Sequence, residues 1–169
     1  MKLPTFLLFA IGSLRLLGCA SEPDGTTVSG SVQLTRVSGT ETGQTGFVFP
    51  DRTRIDSSPF TGSCSFDDSG ESSVLTLYVE RTATDPFGMS AFSLELPIES
   101  PVAPGSAKVT VVAGGTTFED ASGSCVAQWS GYDAWIGNVD VTLDCSALAG
   151  GDAPESVGLS ASLALEGCK

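Results

Sequence analysis

The sequence predicts an all-β domain, an antiparallel β-sandwich of about eight strands, with a β-barrel as the alternative way of closing the same sheet. Three observations carry this. Apolar and polar residues alternate with period two along most of the chain, no long stretch keeps a helical period, and Gly, Pro, Ser and Asp punctuate the alternating runs. Such strands have one apolar face each, so they must pack face to face or close on themselves.

In chain order, Val28, Gly30, Val32 and Leu34 face one way and Ser29, Ser31 and Gln33 the other. Residues 60–66 form a second β-rich piece. Leu75, Leu77 and Val79 alternate with Thr76, Tyr78 and Glu80, and Phe92, Leu94, Leu96 and Ile98 with Ser93 and Glu95. Residues 107–112, 125–131 and 139–145 follow as β-rich runs. Leu159, Ala161, Leu163 and Leu165 close the series, alternating with Ser160, Ser162 and Ala164.

One pairing can be taken to register. Residues 125–132 fold back on 138–145 around a turn near Trp135, which sets Cys125 opposite Cys145, Ala127 opposite Leu143 and Trp129 opposite Val141. All six point to the core, while Gln128, Asp140, Thr142 and Asp144 point away. A slip by one residue would invert the whole set, so the register is strongly specified.

The N-terminus has a different character. Lys2 precedes a short apolar run over residues 5–14, too short for a membrane span and typical of an export signal. At its end Leu16-Leu17-Gly18-Cys19 resembles the lipobox of bacterial lipoproteins, although Arg15 places a charge where such signals are usually apolar. The resemblance covers only about the first twenty residues. It implies cleavage before Cys19, a diacylglyceryl thioether on its sulfur and acylation of the new N-terminus. Leu16 matches the lipobox leucine and Gly18 the small residue before the cut. Two or more acyl chains anchor a protein stably, where one does not. The implied organisation is a signal peptide over residues 1–18, a lipidated tether over 19–27 and the β-domain over 28–169. The implied address is the bacterial cell envelope, with Ala20 after the cysteine pointing to the outer membrane of a diderm cell.

Export governs how the other cysteines are read. Setting Cys19 aside leaves Cys64, Cys125, Cys145 and Cys168, an even number in an oxidising compartment where disulfides persist. No two stand at C-x-x-C spacing and the chain has no histidine, so disulfides are expected and no metal site. The hairpin register favours Cys125 with Cys145, leaving Cys64 with Cys168. Spacing alone also leaves open Cys64 with Cys145 plus Cys125 with Cys168, and, least favoured, Cys64 with Cys125 plus Cys145 with Cys168.

The chain holds 8 basic and 20 acidic residues; without Lys2 and Arg15 the balance is 6 against 20, a net of −14. Such a surface repels phosphate backbones, so nucleic acid is not an expected partner. The 169 residues less the 18 of the signal leave 151, the size of one domain, and a monomer is expected. The expected partners are the membrane, through the N-terminal lipid, and an envelope protein or glycan.

Sites on such scaffolds usually lie on connections. Residues 38–59 read as the longest loop, carrying Phe49, Arg52 and Arg54 as candidate partner contacts; the plainer reading packs its phenylalanines onto the sheet. At the hairpin turn, Tyr132 and Trp135 are further candidates, since aromatics at a strand end can stack on a sugar or a partner. Residues 67–71 gather three carboxylates but lack the Ca²⁺-loop pattern and read as ordinary turn chemistry. Without histidine, Ser- or Cys-based triads that use it as base are excluded. No G-x-S-x-G, S-x-x-K or phosphate-binding glycine loop occurs. No enzymatic activity and no cofactor are expected. The sequence therefore points to a lipid-anchored binding module, with a purely structural envelope lipoprotein as the alternative and a carboxylate-based hydrolase third.

Overall fold

The computed structural model describes residues 25–36, 44–70, 72–82, 88–103, 105–151 and 155–169; the signal segment, Cys19 and the tether up to residue 24 lie outside them. Ten strands run through the described residues: β1 Thr27–Arg36, β2 Gln44–Arg54, β3 Phe60–Asp67, β4 Val74–Arg81, β5 Met89–Pro97, β6 Lys108–Ala113, β7 Thr116–Glu119, β8 Cys125–Asp133, β9 Asn138–Gly150 and β10 Ser156–Glu166. All pair antiparallel in one sheet of order β2-β1-β10-β9-β7-β6-β5-β4-β3, with β8 added beside β9. A single sheet curled around one core is nearer to the barrel alternative than to two separate layers.

All eight expected strands are present, and the alternation that announced them becomes burial. Leu75, Leu77 and Val79 on β4 are fully buried, as are Leu94 and Leu96 on β5, and each such side chain contributes roughly 1.5–3 kcal/mol. The β8–β9 register pairs Cys125 with Cys145, Ala127 with Leu143 and Trp129 with Val141, as the sequence predicts. Trp129 is only half-buried, however, packing at the margin of the core.

β9 outruns its expected end at Cys145. Leu159 pairs with Cys145 but Val157 pairs with Leu148, so two residues of β9 oppose one of β10. This bulge shifts the alternation, which is why the periodicity stopped there and the strand did not.

Two strands were not foreseen. The described part of the expected long loop, from Gln44 onward, is mostly β2, an edge strand beside β1, with Phe47 facing Val32 and Phe49 facing Gly30. Phe47 and Phe49 are buried and Val48 between them is exposed, so the F-V-F stretch was strand alternation and Phe49 is not a surface contact. Pro50 and Asp51 lie in β2 within a register shift against β1, and an edge strand tolerates proline there. The other addition, β7, joins β6 through Gly114 (φ +56°) and Gly115 (φ +78°), a two-residue hairpin turn that needs positive φ at both positions.

The seam between the edge strands β2 and β3 closes on aromatics. Phe60 packs its ring 5.7 Å from Phe47 and 5.1 Å from Phe49, and the Arg81 guanidinium lies 5.9 Å from the Phe47 and Phe60 rings. Disulfides Cys125–Cys145 and Cys64–Cys168 are both formed. The second ties β3 to the segment after β10, where the Lys169 N–H also donates to the Cys64 carbonyl at 3.1 Å.

Candidate functional site

Strand directions bring most of the candidate residues to one end of the barrel, where β1 begins. Thr27 pairs with both Arg54 of β2 and Glu166 of β10. Beyond Glu166, the Cys168 N–H donates to the Gly137 carbonyl at 3.0 Å, which draws in the β8–β9 turn. Arg52, Arg54 and Trp135 thus share the end at which Gly25 enters the domain.

The two arginines there are engaged. Arg52 pairs with Glu166 at 2.9 Å from a left-handed backbone (φ +53°), its N–H held by Ser29 Oγ at 2.8 Å. Arg54 grips Asp56 with Nε and a terminal nitrogen, at 2.9 and 2.7 Å, and these bonds hold the Asp56 carboxyl below the usual carboxylate range. Tyr132 is half-buried. Its ring packs on Phe66 at 5.0 Å and near Trp129 at 6.0 Å, and its hydroxyl bonds Ser73 Oγ at 3.2 Å. Trp135 is different: it is 96% exposed, beside Ile136 at 48%.

A second surface lies along β8, which pairs with β9 on one side only. The Cα atoms of Cys125 and Cys145 are 4.0 Å apart, the close spacing of a pair that does not exchange ladder hydrogen bonds. The Cys125 N–H accordingly turns away from β9, to Asp120 Oδ2 at 2.9 Å. The same alternation directs the N–H and C=O of Ala127 toward the free edge. Beside that edge runs a groove of about 300 Å³ lined by Glu99, Pro101, Val102, Val126 and Trp129. The Trp129 indole N–H fixes its far wall by donating to the Glu99 carbonyl at 2.8 Å, and Val126 is 57% exposed. Sequence reasoning missed this groove because residues 99–102 carry no motif; the signal was Trp129, whose indole N–H needs a partner when partly buried.

The shifted carboxyls have structural causes. Burial pushes the Asp120 carboxyl up, but bonds from the Ser124 and Cys125 N–H groups and the Ser124 hydroxyl outweigh it, and the net direction is down. Asp67 is held low by Ser69, whose N–H it accepts at 2.9 Å in a local turn. Glu71 of that acidic turn lies outside the described residues. Among the described residues, no three Cys, Asp or Glu gather as metal ligands.

No protein-family model matches the chain, and comparisons with curated proteins and with solved structures return no significant match.

Proposed function

We propose that this chain is a lipid-anchored protein of the bacterial cell envelope whose β-domain is a binding module, offering the free edge of β8 to an extended segment of an envelope protein. The observation that carries the reading is the β8 edge with its groove. An unpaired edge presents donors and acceptors to an added strand, and recognition by strand addition draws affinity from those groups and specificity from side-chain pockets. Ala127, 6% exposed at the floor of the groove, would supply the backbone bonds, and Val102, Val126 and Trp129 the apolar contact. The anchor rests on the Leu16-Leu17-Gly18-Cys19 motif and on the even set of four remaining cysteines, all joined in bridges.

The test is a photo-crosslinking residue at Val126 in the native envelope, with a control at Ser160, exposed on β10. The module reading expects a discrete adduct from position 126 alone, lost when Ala127→Pro removes the outward N–H. Absence of any adduct at position 126 would favour the structural envelope lipoprotein instead.

A further inference from the structure

The β8–β9 turn breaks the rule that the strands obey. Ala134, Trp135 and Ile136 are three consecutive apolar residues, all exposed. A soluble surface avoids such runs unless they serve a contact. The turn is also held in shape: the Trp135 N–H donates to Asp133 Oδ1 and the Gly137 N–H to the Asp133 carbonyl, both at 2.9 Å. Gly137 is buried at φ +68°, and a Cβ there would stand 2.1 Å from the Cys168 carbonyl oxygen. The apolar tip is therefore clamped to the segment after β10.

That segment also adjoins the start of the domain. A Cβ on Gly167 would lie 3.0 Å from the Gly25 carbonyl oxygen, and the Thr26 hydroxyl donates to the Gly167 carbonyl at 3.1 Å. Gly25 and the tip thus flank one short stretch of backbone. Cys19 precedes Gly25 by six residues, which reach about 20 Å when fully extended. Arg52, paired with Glu166, Arg54, paired with Asp56, and Lys169 lie around this end, three of the 6 basic residues from Cys19 onward, so it is mixed in charge where that chain as a whole carries −14.

We infer that the tip is a membrane contact: Trp135 and Ile136 rest in the interfacial region of the bilayer that holds the Cys19 acyl chains, so that the barrel stands on its Gly25 end. The inference rests on the lipid-anchor reading, because the short tether is what keeps this end near the bilayer. Tryptophan suits the site, its ring favouring the boundary between headgroups and acyl chains. Standing this way, the domain keeps the β8 edge away from the lipid along its flank.

The experiment supplies the anchor chemically. With both disulfides formed, Cys19 is the free thiol of a chain beginning at that residue. It is coupled to a maleimide lipid in phosphatidylcholine vesicles with brominated acyl chains, and tryptophan emission is read for the wild type and for Trp135→Phe. The wild type should lose the Trp135 share of its emission and shift to the blue, while Trp135→Phe, reporting Trp129 alone, should be unquenched. Equal quenching in both proteins, or Trp135 emission unchanged by tethering, would overturn the inference. Native lipidation is read separately from the intact mass of envelope-purified protein, so failure of the anchor reading and failure of the tip contact give different results.

Discussion

Between Cys125 and Trp129 the β8–β9 hairpin turns alternate residues into the core, and a few residues later, at Ala134, Trp135 and Ile136, it turns three apolar side chains into solvent. The stem is governed by burial: each inward residue meets a partner across the ladder, and one pair is covalently joined. The tip is governed by its turn, with Asp133 accepting two hydrogen bonds that fix its shape without covering its side chains. Apolar residues thus do opposite work within one hairpin. In the stem they hold the fold, and at the tip they cost it little and are free to make a contact.

The contrast can be broken by substitution, and the effects should fall in a definite order. The largest loss is expected from opening Cys64–Cys168, whose closure spans 104 residues and ties the tip's support to β3. Loop-closure entropy puts Cys64→Ser with Cys168→Ser at about 4–5 kcal/mol of stability. Opening Cys125–Cys145, with a separation of 20, should cost about 3 kcal/mol. Urea unfolding of the two double variants checks both sizes and their order.

Gly137→Ala comes next. It forces a Cβ against the Cys168 carbonyl at a left-handed position and should cost about 2 kcal/mol, with faster amide exchange at Cys168. Asp120→Asn should cost about 1–2 kcal/mol near neutral pH, since Asp120 bonds the residues that lead into β8. Because its carboxyl binds a proton more weakly folded than unfolded, its contribution is present above the unfolded value near 3.9. It is lost as pH falls through the lower folded value, so unfolding curves of the variant and the wild type should converge on acidification below about pH 4. The smallest effect belongs to the tip: Trp135→Ala should change stability by no more than about 0.5 kcal/mol, as for a surface residue with few contacts. A loss approaching that of the stem variants would show that the tip packs against the domain.

Much of the stem was legible because alternation, two cysteines and a turn agreed on one register. What was missed had local causes. The ladder of β2 breaks between Phe49 and Thr53, where Pro50 and Asp51 have no ladder partner on β1, so its alternation is short; Phe47 and Phe49 pack inward, as the plainer reading expected, against Phe60 across a seam no local pattern encodes. β7 is short, yet Gly114-Gly115 between two β-branched runs was its signal. Of the candidate contacts, Trp135 kept its exposure, Tyr132 became a partly buried brace through Ser73 and Phe66, Arg54 found Asp56 two residues along the chain, and Arg52 found Glu166, whose proximity depends on strand order. The β8 groove was invisible because it lies between an edge and a connection distant in sequence.

The most direct check on the whole account is the intact mass of the protein purified from its native envelope. The account predicts a chain beginning at Cys19 and heavier than its polypeptide by the diacylglyceryl and acyl groups. A chain that still carries Met1 or Lys2 and an unmodified Cys19 thiol would contradict it.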